Sequence, residues 1–404
     1  MLTALIAMAV PGPVRAQQVT PLPLPGEYNE PLGLRSGAFI FYPSVETGIE
    51  LTDNVFQSSQ NERGDRGYFV APALRIESDW VRHSLRVDAS SRHLYYFGNP
   101  SEDELEVDVR ADGRIDIKRS TRLDVEASYN LDQEGRGSIN VPGAAAEPPN
   151  EHEFGGEAVL THDVGRFEVS VGGSAEYNLF EDVDLIGGGT LNNSDRNFTE
   201  IGGALRIGYD VSPRIQPFVS AEYSVQRYDN RIDDNGLRRD SEQFDAEAGL
   251  RFELSPALSG TVAVGYVRRE FEDPALSTID DFTINGSLLW QPTPITSAEF
   301  TVNTDIDETG VGFSSGALVR VVGLSVNHAL RDNLLLAARA QYAIRDFRGT
   351  SLTEETTYLA AGLTYQLNRA AALRAGYSFE KFDSSTAGSD YIENRILVSL
   401  LLQR

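Results

Sequence analysis

Polar and apolar residues alternate with a period of two through runs of ~12–15 residues, repeated about eighteen times, which predicts an all-β chain. Such runs are more than twice the ~5–6 residues usual in soluble strands, and exceed the ~9–11 that cross a bilayer at a tilt. Short turns and long polar connections take turns between them. Together these features predict a transmembrane antiparallel up-and-down β-barrel of about 18 strands. Closure follows because hydrocarbon offers unpaired backbone groups no other partner.

Composition narrows the classes further. The 404 residues hold 35 Lys and Arg against 60 Asp and Glu, for a net charge of −25, and no Cys. An acidic chain repels phosphates, so nucleic acid is excluded as a partner. Without Cys there are neither disulfides nor thiolate metal sites. An apolar share of 41% is too high for a disordered chain. A mean hydropathy of −0.28 is too low for a helical membrane protein.

Residues 1–16 read as a signal peptide. Leu2 to Val10 form an apolar run too short to span a bilayer, and Val14 and Ala16 are small residues before a cleavage point. Residues 17–36, with Pro21, Pro23, Pro25 and Pro31, read as an extended periplasmic leader. Residues 37–404 are the barrel. Between residues 104 and 118 the even positions run from Glu104 to Lys118 and are charged throughout; the odd positions include Leu105, Val107, Val109, Ile115 and Ile117. Residues 122–131, 167–177 and 244–254 repeat the pattern, so each strand has one apolar and one polar face.

Short turns are expected near 79–82, 118–121, 164–166, 212–214, 255–257, 292–295, 331–333 and 368–371. Longer polar segments lie at 53–67, 98–102, 132–150, 181–196, 229–240, 272–278, 309–315, 348–353 and 384–390. An even strand count puts both termini on the side of the short turns, the periplasmic side. Aromatics near strand ends, among them Phe39, Phe41, Tyr95, Tyr96, Phe97, Tyr177, Phe180, Tyr209, Tyr223, Tyr228, Tyr266, Trp290, Tyr342 and Tyr377, suit an interfacial girdle.

The opening stretch from Gly33 to Phe56 resembles the start of the β-barrel porin type 2 family of Gram-negative outer membranes. Gly37, Phe39, Pro43, Gly48 and the run Asp53-Asn54-Val55-Phe56 carry the likeness. The resemblance implies placement in the cell outer membrane and a general porin role or a link to polysaccharide secretion. It departs at the C-terminus, where Leu402-Gln403-Arg404 stands in place of the terminal aromatic residue of many such barrels.

No catalytic, cofactor or metal constellation emerges. None of His83, His93, His152, His162 and His328 is spaced to pair with another on a metal. Ser91 and His93 share a strand face, the arrangement a surface hydrolase needs, but no oxyanion group accompanies them. Gly187-Gly188-Gly189 lacks the strand-to-helix setting of a phosphate loop. Asp53-Asn54 and Asp233-Asp234-Asn235-Gly236 offer oxygen atoms, yet the second lacks the later bidentate Glu of a calcium loop.

The polar face carries the functional content. Turning the apolar face to lipid lines the lumen with Glu106, Asp108, Arg110, Asp112, Arg114, Asp124, Glu126, Glu168, Glu176, Arg206, Glu222, Asp245, Glu247, Arg251, Arg339 and Arg374. Opposite charges there either pair and plug the lumen, or line a water path that selects by field. A barrel of about eighteen strands is wide enough for the second. The expected function is therefore passage of hydrophilic solutes or a polysaccharide by diffusion, without enzyme chemistry or cofactor. The alternative is a structural or adhesive platform acting through 132–150 and 181–196. Expected partners are outer-membrane lipid, the outer-membrane assembly machinery and, for a polysaccharide cargo, its export components.

Overall fold

Alternation commits each run to extended backbone, because only there do successive side chains take opposite faces. The computed structural model describes residues 31–60 and 62–404, so the signal peptide and most of the leader lie outside the described residues. The first half comprises β1 (Leu34–Ser36), β2 (Phe39–Thr52), β3 (Asp65–Ser78), β4 (Ser84–Tyr96), β5 (Glu104–Lys118), β6 (Thr121–Gln133), β7 (Asn150–Val164) and β8 (Phe167–Phe180). A small hairpin, β9 (Val183–Asp184) and β10 (Thr190–Leu191), sits within the next connection. Then follow β11 (Phe198–Tyr209), β12 (Ile215–Tyr228), β13 (Ser241–Ser255), β14 (Leu258–Phe271), β15 (Ile279–Thr293) and β16 (Thr296–Asp307). The chain ends with β17 (Gly316–Arg331), β18 (Leu334–Arg348), β19 (Thr353–Asn368), β20 (Ala371–Ser384) and β21 (Tyr391–Gln403).

Each long strand pairs antiparallel with the next, and β21 returns to β2, Thr52 opposite Arg395. The eighteen strands β2–β8 and β11–β21 thus close a barrel, each paired with both its neighbours along all or part of its length. At the seam, β21 covers β2 only from Ser44 upward, and β1 covers its start, Leu34 opposite Phe41. Pro43, which has no N–H to leave unpaired, stands where the two partners change over. Leu34–Ser36, within the expected leader, is therefore part of the wall.

Tight turns and long loops fall at opposite ends, where the sequence places them. Gly165 turns between β7 and β8 with φ of 65°, a conformation that costs glycine nothing. Register shifts at Asp116/Lys118, Glu253/Ser255, Trp290/Thr293, Ala329/Arg331 and Gln366/Asn368 all lie beside short turns, where a bulge adds the twist a tight connection needs.

Apolar residues of the outer face stand exposed: Val171 by 55%, Val219 by 55% and Val264 by 59%. Water would penalise such a surface, and lipid does not. Tyr177, Tyr223, Tyr266 and Tyr342 near the long-loop end donate to Asp229 (2.9 Å), Glu242 (2.7 Å), Asp280 (3.1 Å) and Glu355 (2.7 Å). Each ring lies against the apolar band while its hydroxyl meets polar groups, as an interfacial girdle requires. Tyr96, Phe180 and Tyr228 do not belong to that girdle. Their parity turns them inward, where Tyr96 and Phe180 are buried and Tyr228 packs on Phe198.

Candidate functional site

Side chains on the concave side of a barrel converge, so contacts that skip a strand form only there. Arg92 of β4 donates to Glu50 of β2 at 2.6 Å, across β3. Arg395 of β21 reaches Glu50 at 3.2 Å and Glu104 of β5 at 3.5 Å. Arg374 of β20 pairs with Glu46 of β2 at 2.6 Å, and Arg345 of β18 with Asp307 of β16 at 3.0 Å. Glu168 of β8 takes Arg122 of β6 at 3.5 Å and Arg251 of β13 at 3.7 Å. Glu247 of β13 accepts from Asn285 of β15. These contacts mark the charged face as the inner one at each of these positions.

The sequence-selected residues fall into two groups. Several meet opposite charges: Arg110 pairs with Asp112 at 3.1 Å and with Glu126, Arg114 with Asp116 at 3.1 Å, and Asp124 with Arg122 at 3.3 Å. Glu106 lies 4.0 Å from Arg92, and Arg339 donates to Gln341 at 3.0 Å. A second group faces its own sign. The register sets Glu126 opposite Glu157, Glu176 opposite Glu200, and Glu222 opposite Asp245. Glu176 accepts from Asn178, and Asp245 accepts from Gln243 at 2.8 Å. Asp108 stands between Ser90 and Asn130. Like charges directly opposite on neighbouring strands destabilise a sheet unless water or cations separate them. Arg206 lies flat on the Phe218 ring, 3.6 Å from its centroid, and its Nε is buried without a partner.

Sequence reasoning missed Glu46, Glu50 and Arg92 and left Glu104 of the charged face out of the lumen set: Glu50, Arg92 and Glu104 join Arg395 in one ion network at the β2–β21 seam, and Glu46 holds Arg374 there. Their alternate spacing in β2 and β4 was the signal that could have found them. It also missed the loop. Residues 134–149 do not project outward; they cross the long-loop mouth. Glu134 holds Arg196 of the β10–β11 connection through two bonds of 2.8 Å. Arg136 holds Glu102 of the β4–β5 connection at 2.7 and 2.6 Å and donates to the carbonyls of Ala145 and Ala146. Gly137 donates to Gln57 at 3.1 Å, and Gly310 donates to Asn140 at 3.1 Å. Ile139 packs on the inner cluster of Ala317, Val319, Val321, Ala343 and Phe347 on β17 and β18. Since β17 is the eighth strand after β7 in a ring of eighteen, the loop reaches the far wall.

Beyond the wall, the weaker motifs have structural roles. His93 stacks on Tyr95 with centroids 3.8 Å apart, and no hydrogen bond joins it to Ser91. Asp233 is buried, holds Arg239 at 2.6 Å and caps the amides of Asn235 and Leu237, so it shapes its own turn. Gly187, Gly188 and Gly189 take positive φ in the β9–β10 turn. Among the described residues no group of three or more His, Asp or Glu is arranged to hold a metal ion.

A closed antiparallel barrel with an apolar outside, a charged inside and a loop laid into its mouth is a porin-like outer-membrane barrel. The chain belongs to the family described as Putative beta-barrel porin 2, whose model matches residues 27–404. Among solved structures it is similar to OccK2 (OpdF) of Pseudomonas aeruginosa, at 11% identity and TM-score 0.45, over 90% of this chain and 97% of that one. It is likewise similar to OpdL of Pseudomonas aeruginosa, at 15% identity and TM-score 0.42, over 90% and 99%. OccAB2 of Acinetobacter baumannii follows at 12% identity and TM-score 0.44, over 91% and 99%. No curated protein matches the chain.

Proposed function

We infer that the barrel is a passive channel for small hydrophilic solutes, that its water path runs along the like-charged inner arc, and that residues 134–149 set its width. The observation that carries this reading is the inner arc from β6 to β13. There Glu126 stands opposite Glu157, Glu176 opposite Glu200 and Glu222 opposite Asp245, carboxylate against carboxylate on neighbouring strands. Of the six, Glu126 also meets Arg110 and Glu200 meets Arg269, and the other four are in no ion pair among the described residues. A wall built to be plugged would interleave the signs, as it does around Arg110 and Arg395. An acid-lined low-dielectric wall concentrates cations, depletes anions and leaves uncharged polyols unaffected.

A polysaccharide strand needs residues 134–149 to swing aside, so small solutes fit the arrangement better. The adhesive-platform alternative needs free loops. Here 134–149 is spent on contacts with four other connections, and Val141 and Ala145 are buried against Val183. Export through the N-terminal signal peptide and insertion by the outer-membrane assembly machinery complete the proposal. Single-channel recording tests it: an ohmic pore whose conductance rises when residues 137–145 are replaced by a short Gly-Ser link supports the channel. A silent barrel with and without the loop contradicts it.

A further inference from the structure

One stretch of the wall is not zipped. β15 and β16 pair from Gly286 opposite Val302 to Trp290 opposite Ala298, then at Thr293 and Thr296. Above that, residues 279–285 and 303–307 have no ladder between them, although β15 still pairs with β14 and β16 with β17 up to their ends. Four amides of alternate residues, which share the facing edges, are instead taken by side-chain oxygens. Thr304 Oγ1 accepts from Ile284 N at 3.2 Å, and Asn285 Oδ1 from Thr304 N at 2.9 Å. Asp281 Oδ1 accepts from Phe282 N and Asp305 Oδ1 from Ile306 N, both at 2.8 Å. Unpaired backbone in a bilayer costs several kcal/mol per group. This sequence supplies caps where it could have supplied a ladder.

The strands also change depth. Ile279 and Asp281 lie opposite Arg269 and Val267 on the inner face, since Arg269 reaches Glu308 and, at 3.8 Å, Glu200 of β11. Ile306, Leu318 and Arg320 lie on the outer face, because their neighbours Asp307 and Val319 point inward. Yet Val267, Ile279, Ile306 and Leu318 form one buried cluster. Asp281 pairs with Arg320 at 3.0 Å and with Arg348 of β18. Inner side chains of β15 thus rest on outer side chains of β16 and β17. The wall laps, with β15 outside; the Asp281 pairs pin the overlap, and the bonds of Thr304 to Ile284 and Asn285 bridge the two edges below it.

We propose that this lapped seam is a lateral gate, through which a single-chain amphiphile with a hydroxyl- or ammonium-bearing head moves between lumen and outer leaflet. The tail would meet Phe282 and Ile284, which are 75% and 49% exposed on the outside. The head would meet Asn285, Thr304, Asp305 and Asp281, oxygen atoms that accept from such donors. The capped amides also keep the edges from zipping shut or recruiting a foreign strand.

The chain has no Cys, so single cysteines report cleanly. In liposomes, N-dodecylmaleimide dissolved in the bilayer, with glutathione in the water to scavenge any that escapes, should label Thr283→Cys at the seam. Labelling there should be about tenfold faster than at Ser174→Cys on the inner face of β8. Adding Asp281→Asn should speed labelling at residue 283 alone; Arg320→Gln together with Arg348→Gln releases the same pin if Asp281→Asn does not yield heat-modifiable, folded barrels. Equal rates at the two positions, unchanged by either release, would overturn the gate. Labelling does not require conduction, so a silent channel leaves this test standing.

Discussion

Val107 and Asp108 adjoin in sequence and stand on opposite faces of β5, opposite Leu131 and Asn130 of β6. Val264→Arg, on the lipid face at the middle of β14, should cost ~2–4 kcal/mol, whereas Asp108→Asn on the wet face should cost far less. Urea titration of refolded barrels measures both; comparable losses would mean the faces are reversed. Arg136 offers a second residue-scale test. Its carboxylate partner Glu102 is buried, so Arg136→Ala strands that charge, at a cost of about 3–5 kcal/mol to the loop's seating. The expected outcome is a larger and noisier single-channel conductance. An unchanged conductance would show that 134–149 does not set the width. Parity along a strand was enough to place Asp108 and Glu176 on the polar face. It could not say that Arg251 meets Glu168, because that contact depends on barrel curvature and stagger, which no single strand encodes.

Strands and short turns were legible because period-two alternation and Gly, Pro, Asn and Asp turn chemistry are local properties. The long connections were not. Ile139, Val141 and Ala145 are an apolar minority in a polar segment, and their partners on β17, β18 and the β8–β11 connection lie far away in sequence. The β15–β16 lap was equally hidden, since Asp281-Phe282 and Asp305-Ile306 alternate like any other strand. Topology is testable on intact cells. Gly143→Cys in the loop should react with a membrane-impermeant maleimide, and Pro256→Cys in the β13–β14 turn should not. Equal reaction of both would reject the orientation. A pH effect belongs to this scale too. His152 donates to Glu181 at 3.0 Å, and that hydrogen bond holds the Glu181 carboxyl below the usual carboxylate range. A depressed carboxylate contributes stability above its ordinary pKa and loses it as pH falls through the lowered value. The protection factor of the Glu181 amide, bonded to the Asn150 carbonyl at 2.9 Å, should therefore fall only in acid. A protection factor independent of pH in that range would remove the role of the pair.

Across the whole molecule, a net charge of −25 is distributed unevenly: the outside is apolar, while opposed carboxylates crowd the inner arc. A field of that origin acts on whatever moves through the water path, and salt shortens its reach to ~3 Å at 1 M. The competing influence is arginine: Arg110 and Arg251 are in ion pairs, whereas Arg206 stands over the Phe218 ring. Reversal potential under a KCl gradient, at low and high mean concentration, decides between them. The acid-lined channel predicts potassium preference at low salt that fades toward neutrality at about 1 M. Chloride preference at low salt would contradict it and would pass control of selectivity to the arginines of the inner wall.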